Sequence, residues 1–249
     1  MVAYNVYKSL EQILDYLREP SVQCDEVKEL LSIYDKSKTR WTSDVHPVKL
    51  FLVFEGLDGS GKSTMTKLAS KKLSCVQVVT PPDCIKHLRN YFDECEPKLR
   101  RAYYSLGNYI AAMEISTILQ TRPVVMDRFW HSTAAYAIAE SSDDIPSKGD
   151  EIFKWPNDLL KPDVVIFLDV TEHIRSIRTK RRIEEQIETI EESHLRKNNE
   201  FRSRLNEAYS HMADLQFIDG NQYPKKVFDS IMKDVLTPIL TAEKLLTSS

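Results

Sequence analysis

Residues 50–64 read LFLVFEGLDGSGKST, and this stretch decides the fold of the chain. From Gly56 to Ser63 it matches the pattern GxxxxGK[ST] at every fixed position. The apolar run before the match predicts a strand, and TMTKLASKKL at 64–73 predicts a helix. A glycine-rich loop between a strand and a helix is the phosphate-binding loop of proteins that bind nucleoside triphosphates.

The residue types of this loop suit phosphate binding. Its glycines let successive backbone N–H groups point inward, and the helix N-terminus adds a positive dipole end. Lys62 is expected to reach the β- and γ-phosphates, and the Ser63 hydroxyl to bind Mg²⁺. The residues predicted to bind the triphosphate are Gly56, Leu57, Asp58, Gly59, Ser60, Gly61, Lys62, Ser63 and Thr64.

Five short apolar runs predict the strands of one sheet: Leu50–Phe54, Val76–Thr80, Val124–Met126, Val164–Asp169 and Gln216–Ile218. They are rich in Val, Ile and Phe, which is typical of parallel strands buried on both faces. The segments between them are long enough for crossover helices. The sequence therefore predicts an α/β fold of three layers, with about five parallel strands covered by helices.

Composition sets limits on the kind of protein. The chain has 249 residues, 42% of them hydrophobic and 29% charged, which is an ordinary globular balance. A formal net charge of −3 argues against a protein that coats nucleic acid or an anionic membrane, and no apolar run reaches the length of a membrane span. The four cysteines lack metal-site spacing and fit a reducing compartment.

Residues 1–48 differ from the predicted main domain, residues 49–249. Apolar residues at 10, 13, 14 and 17 predict a first helix, with Ser9 as its cap, and a second is expected from Asp25 to Tyr34. The polar stretch KSKTRWTSDVHP predicts a linker. We interpret the segment as a helical extension packed on the main domain, the alternative being a partner-binding or regulatory module. Its composition resembles neither a secretory signal nor a transit peptide.

The third predicted strand ends in Asp127-Arg128. An aspartate at the carboxyl end of a strand beside the phosphate loop can hold the metal or its water, and the adjacent arginine would point into the same cleft. Such a pair suits a site where two phosphate groups face each other. The alternative is a surface ion pair.

Three stretches together resemble the thymidylate kinase family. They are EGLDGSGKST, the spaced pattern Asp127-Arg128…Ser132…Ala135-Tyr136, and KPDVVIFLDV at 161–170. The resemblance covers residues 49–240, and TPPDCIKHLR and RRAYYSLGNYIAAMEI are most similar to its mitochondrial UMP-CMP kinase branch. It implies a P-loop kinase fold and transfer of the ATP γ-phosphate, with Mg²⁺, to a pyrimidine nucleoside monophosphate in nucleotide salvage.

The resemblance also implies roles for individual residues. Asp58 matches the acidic residue that contacts the acceptor sugar, and Arg128 matches the arginine that bridges the donor and acceptor phosphates. Arg89 falls near the expected acceptor phosphate, the alternative being a solvated helix charge. Tyr104 falls where an aromatic ring stacks on the pyrimidine.

At Asn108 the chain departs from the family, because thymidylate kinases place an arginine there. An arginine only donates hydrogen bonds, whereas an amide also accepts them, so Asn108 is predicted to tolerate both uracil and cytosine. The alternative is that Tyr104 and Asn108 only pack in a helix. Tyr136 matches a tyrosine that crowds the sugar 2′ position, and Thr133 replaces an asparagine near the base.

The lid is a second departure. The loop offers Gly59 and Ser60 but no arginine, so the basic stretch RSIRTKRR at 175–182 is expected to supply the catalytic one. A basic segment that closes over the triphosphate would neutralise charge and exclude water. Arg178 and Arg182 match the spacing at the start of the family's lid. The alternative is a solvated helix with charge pairs four residues apart.

The leading hypothesis is a kinase for dUMP, dCMP, UMP or CMP. The alternatives are a thymidylate kinase and, outside the enzymes, a nucleotide-binding regulatory protein. No nucleic-acid or membrane partner is expected. The resemblance suggests a homodimer and a mitochondrial location, and without it a cytoplasmic one would be expected.

Overall fold

The computed structural model describes residues 4–39, 49–142, 144–183 and 198–241, without the side chains of 181–183. Its centre is a sheet of five parallel strands in the order β2-β3-β1-β4-β5. Central β1 pairs Phe51 with Val124 of β3 and Leu52 with Val164 of β4. The strands are β1 Phe51–Glu55, β2 Val76–Val79, β3 Val124–Asp127, β4 Val164–Asp169 and β5 Leu215–Asp219.

Helices cover both faces of this sheet, which confirms the predicted three layers. Within the described ranges, no helix combines the length and the apolarity that a membrane crossing requires. The helices are α1 Leu10–Arg18, α2 Asp25–Lys38, α3 Lys62–Leu73, α4 Arg89–Glu94, α5 Pro97–Ile118, α6 Trp130–Ser141, α7 Glu172–Ile183, α8 Asn199–His211 and α9 Pro224–Ile231, which continues into a π-helical turn, Met232–Leu236.

Alternate residues of the three inner strands pack into two different cores. From β1, Phe51 and Val53 enter the core formed with α5, α6 and α8, while Leu52 and Phe54 enter the core formed with α3 and α9. The three inner strands are buried as predicted. The prediction of burial on both faces is wrong for β2 and β5, because these strands lie at the edges of the sheet; Val79 and Phe217 are exposed.

The N-terminal segment, residues 4–38, packs on α5. Ile13 and Leu17 of α1 and Val27 and Leu30 of α2 have no exposed surface and belong to the same core as α5. Ser9 caps α1 as predicted, its hydroxyl accepting the Gln12 N–H at 3.2 Å. The second helix is four residues longer than predicted, so the first residues of the expected linker are helical. Residues 40–47 of that linker lie outside the described residues.

Candidate active site

The phosphate loop occupies residues 56–61, between β1 and α3. Gly61 is the N-cap of α3 with a φ of 101°, a conformation that L residues rarely adopt. Gly59 has a φ of 80°, and a Cβ there would lie 2.8 Å from the Arg175 carbonyl oxygen. These two positions therefore require glycine, and the loop can wrap its N–H groups around an anion at the N-terminus of α3.

Lys62 begins α3 and turns back into the loop. Its ammonium donates hydrogen bonds to the carbonyls of Gly56 at 3.0 Å and Leu57 at 3.1 Å, and the side chain is 7% exposed. Burial, reinforced by the positive charge of Arg128, lowers the pKa of Lys62 to about 8. The loop thus holds a buried cation that is still protonated at neutral pH.

Ser63 and Asp127 bring two oxygen groups together beside the loop. The Ser63 hydroxyl donates to the Asp127 carboxylate at 2.6 Å, and Thr64 follows on the exposed side of α3. No cluster of three or more His, Cys, Asp or Glu side chains suited to a metal occurs among the described residues. A hydroxyl and one carboxylate fit Mg²⁺, which keeps several waters and takes further oxygens from phosphates.

Arg128 follows β3 and joins the loop to α6. Its guanidinium donates to Asp58 of the loop at 2.7 Å and to Ser132 of α6 at 3.0 Å. Its backbone has a φ of 66°, which costs a non-glycine residue of order 1–3 kcal/mol and is typical of functional sites. Burial opposes the charge of Arg128, but Asp58 together with Tyr136, Tyr209 and Glu55 outweighs it, so the pKa of Arg128 lies above the usual value.

Beneath Arg128 lies Glu55, a residue to which the sequence assigned no role in the site. It is fully buried, and its carboxylate accepts the N–H groups of Phe129 and Ser132 at 2.9 and 3.3 Å. It also accepts the hydroxyls of Ser132 and Tyr209 at 2.5 and 3.3 Å. Burial raises the pKa of Glu55, and Arg128 opposes that shift. The sequence signal that could have identified Glu55 is its position as a charged residue at the end of an apolar strand.

A second cluster of polar side chains lies on α4 and α5. The Tyr104 hydroxyl donates to Asp93 at 2.6 Å, and Arg89 donates to Asp93 at 3.2 Å and to Tyr104 at 3.1 Å. Arg89 is therefore held in a network and is not a solvated helix charge. Asp93, which the sequence did not single out, is 7% exposed and fixes both partners.

Asn108 and Thr133 meet across the interface of α5 and α6. The Asn108 amide donates to the Thr133 hydroxyl at 3.0 Å, and Asn108 is 1% exposed. Within the described part of the chain its amide oxygen has no hydrogen-bond partner. Tyr136 lies one turn along α6 from Thr133, and its ring centre is 5.6 Å from the Arg128 guanidinium. The pair can offer both a donor and an acceptor to a planar ring.

Arg101 is a further member of this cluster that the sequence analysis missed. It is 3% exposed, pairs with Glu140 at 3.1 Å, and lies 5.6 Å from the Tyr136 ring centre. Neighbouring Arg100 contacts the same carboxylate at 2.5 Å. Because most of the surface of α5 is buried, the helical pattern of the sequence could not show which of the two adjacent arginines, Arg100 or Arg101, faces inward.

The arginines of α7 bind the loop from its other side. Arg175 donates to the Asp58 carbonyl at 3.0 Å. Arg178 donates to the carbonyls of Ser60, Gly220 and Gln222 at 3.0–3.3 Å. The catalytic role predicted for Arg178 stays a prediction, and the side chain of Arg182 lies outside the described residues.

A cleft of about 320 Å³ lies beside the loop. Loop and α3 residues 59–65 line one wall, and Arg178, Gln222 and Pro224 lie on the other. The cleft opens at the carboxyl ends of the strands, where ligands bind in open α/β sheets.

Comparison with known proteins identifies the family of the chain. The family profile described as thymidylate kinase matches residues 54–231. The chain belongs to the thymidylate kinase family. This confirms the resemblance found in the sequence. The relatives below are named as nucleoside monophosphate kinases, which are phosphotransferases.

Two curated relatives illustrate the match. UMP-CMP kinase 2, mitochondrial, of Homo sapiens is 37% identical over 73% of this chain. The chain spans 41% of the length of that human protein. A probable thymidylate kinase of Methanococcus maripaludis is 27% identical over 76% of this chain and 94% of its own length.

A solved thymidylate kinase structure from Candida albicans has the same fold, with a TM-score of 0.58 and 19% identity. The match covers 76% of this chain and 92% of the other.

Proposed function

We propose that the chain transfers the γ-phosphate of ATP to a pyrimidine nucleoside monophosphate, with UMP, CMP, dUMP and dCMP as acceptors. The placement of Arg128 carries this proposal, because one guanidinium contacts both the phosphate loop at Asp58 and the acceptor-side helix α6 at Ser132. The planar fork of an arginine suits this bidentate contact with two phosphates better than the point charge of a lysine.

The site then divides into two halves. The donor half comprises residues 56–63 and α7, where the loop N–H groups and Lys62 hold the triphosphate. The acceptor half comprises α4, α5 and α6. Catalysis rests on positioning and on neutralising charge that spreads over the transferring group, so no strong general base is required. Arg178 and Arg182 remain the proposed lid arginines.

Mg²⁺ is proposed to bind Ser63 and, directly or through water, Asp127. When bound, the metal neutralises phosphate charge and orients the β- and γ-phosphates. The 2.6 Å hydrogen bond between the two side chains supports a shared metal site.

In the acceptor half, Tyr104 is proposed to stack on the pyrimidine, with Asp58 near the sugar and Arg89 near the acceptor phosphate. The Asn108–Thr133 pair, whose amide oxygen is buried and unpartnered within the described residues, supports recognition of the base edge. An amide accepts from the 4-amino group of cytosine and donates to the 4-keto group of uracil. Tyr136 is proposed to crowd the sugar 2′ position.

Thymidylate kinase activity is the second candidate, favoured by the names of several relatives. A deoxynucleoside kinase is disfavoured because it needs a base for the sugar 5′-hydroxyl, and Glu55 is fully buried under four donors. A regulatory protein without activity is disfavoured by the intact set Lys62, Ser63, Asp127 and Arg128.

The test is ADP formation from ATP and Mg²⁺ with dTMP, dUMP, dCMP, UMP, CMP or AMP as acceptor, and with Arg128→Ala as the inactive control. Turnover of uridine and cytidine monophosphates with little turnover of dTMP supports the proposal. A preference for dTMP makes the protein a thymidylate kinase. ATP binding without any turnover leaves the regulatory alternative.

The mitochondrial location in the name of the human relative is proposed for this chain as well. A fluorescent fusion of the full-length protein tests it. A homodimer is proposed from the family resemblance, and light scattering of the purified protein tests that state.

A further inference from the structure

We propose that the N-terminal segment, residues 4–38, is a positioning element of the acceptor half. The inference rests on the proposed function, because it assigns the segment to the site that binds the monophosphate. It rests on three sets of contacts. Each set joins the N-terminal segment to α4 or α5, the helices that carry proposed acceptor-binding residues.

The first contact fixes the start of α5. The Tyr16 hydroxyl of α1 donates to the Glu96 carboxylate at 2.6 Å. The same carboxylate caps α5 by accepting the N–H groups of Lys98 and Leu99, each at 3.0 Å. The Lys98 ammonium in turn lies 4.0 Å from the centre of the Tyr16 ring. Helix α1 thus fixes the end of the helix that carries the proposed base-binding side chains.

The second contact fixes α4 and the turn before it. Glu29 of α2 pairs with His87 at 2.9 Å, and the Tyr91 hydroxyl contacts the Cys24 sulfur at 3.2 Å. Arg89 lies between His87 and Tyr91 in the sequence. The proposed phosphate-binding arginine is therefore flanked on both sides by residues tied to α2.

The third contact joins α1 to the middle of α5 through one carboxylate. Asp158 accepts the Leu10 N–H at 2.8 Å with one oxygen and the Tyr109 hydroxyl at 2.6 Å with the other. Tyr109 is the residue next to Asn108.

Together these contacts hold α4 and α5 against a single common support. The hydrogen bond of 2.6 Å between Asp93 on α4 and Tyr104 on α5 requires the two helices to keep their separation. Since hydrogen bonds weaken steeply with distance and angle, a small shift of either helix would disturb the network of Arg89, Asp93 and Tyr104. The phosphate loop is built from β1 and α3 and does not depend on this separation.

The test compares the double variant Tyr16→Phe/Glu29→Gln with Asp214→Asn. The control removes a charge from the Lys161–Asp214 pair, whose atoms are 2.7 Å apart and whose side chains are 55% and 46% exposed. In these respects it resembles the Glu29–His87 pair, whose side chains are 53% and 54% exposed. We expect the KM for CMP to rise about 3- to 10-fold in the double variant, as the lost Tyr16 hydrogen bond and the lost Glu29 charge predict, with kcat and the KM for ATP unchanged. Asp214→Asn should change none of the three.

Equal changes in both KM values, or no change in either, would overturn the proposal. Amide hydrogen exchange without nucleotide provides a second readout that does not depend on activity. We expect faster exchange over residues 86–104 in the double variant and unchanged exchange over 56–73. If the wild type phosphorylates no monophosphate, the proposed function fails, and the exchange pattern alone decides the positioning role: uniform or unchanged exchange rejects it.

Discussion

The proposed donor half is built around one continuous loop, whereas the proposed acceptor half is assembled from side chains on three separate helices, α4, α5 and α6. The residues that characterise the loop, its glycines with Lys62 and Ser63, all lie within the eight positions 56–63. The acceptor half depends on pairs such as Asp93–Tyr104 and Asn108–Thr133, which are 11 and 25 residues apart in the sequence. The donor half is therefore specified mainly by contiguous residues, and the acceptor half by tertiary packing.

The difference predicts that the two halves can be disabled separately. The largest effect is expected for Arg128→Lys, which keeps the charge near Lys62 but removes the fork. We expect kcat to fall about 10³-fold or more, since arginines that bridge transferring phosphates contribute on that scale, while the Kd for ATP stays within about threefold. Single-turnover kinetics and calorimetry measure the two quantities.

Arg204→Lys is the matched control for that experiment, because Arg204 donates to the Ala139 carbonyl at 3.0 Å, outside the proposed phosphate-binding set. It should keep the wild-type kcat. An Arg128→Lys protein that retains more than a tenth of the wild-type kcat would contradict the bridging role.

The next largest effect is expected at alkaline pH, which should weaken ATP binding but not CMP binding. As pH rises through about 8, Lys62 loses its proton, because burial has lowered its pKa, whereas the pKa of Arg128 lies above the usual value. We expect the affinity for a non-hydrolysable ATP analogue to be constant below pH 8 and to fall up to about tenfold per pH unit above it. The affinity for CMP should not change between pH 7.5 and 9.5.

Calorimetric titrations at each pH measure both affinities, and thermal melts check that the protein remains folded. A parallel loss of ATP and CMP affinity would show that the two halves do not titrate separately. Constant ATP affinity up to pH 9.5 would show that the charge of Lys62 does not contribute to ATP binding.

The smallest of these effects is expected for Asn108→Leu, a change of similar size that removes both the donor and the acceptor. We expect kcat/KM for UMP and CMP to fall about tenfold each, as the loss of a hydrogen bond from a buried site predicts, with an unchanged KM for ATP. Ser116→Ala, on the same helix with its hydroxyl bonded to the Ala112 carbonyl, is the control. A loss confined to one of the two bases would contradict recognition of both by the amide.

The same contrast explains what the sequence could predict. The five strands and the loop were predicted because apolar runs and a contiguous motif report local structure. Asn108, Thr133 and Tyr136 could be named only through the family resemblance. Asp93, Arg101 and Glu55 were missed because their roles depend on tertiary neighbours: Arg100 and Arg101 are adjacent, and only packing shows that Arg101 is the more deeply buried.

The strand order has a consequence for how the chain folds during synthesis. Strand β1, at residues 51–55, has both of its partners later in the chain, in β3 at 124–127 and β4 at 164–169. Pairing over such separations must overcome loop-closure entropy, so sheets of this kind fold slowly. Helices α1 and α2 likewise cannot pack until later in synthesis, because their partner α5 begins at Pro97. A nascent chain halted before residue 164 contains the complete sequence of the phosphate loop. It contains β3 but lacks β4, the second of the two strands that pair with β1 and so hold the loop in place.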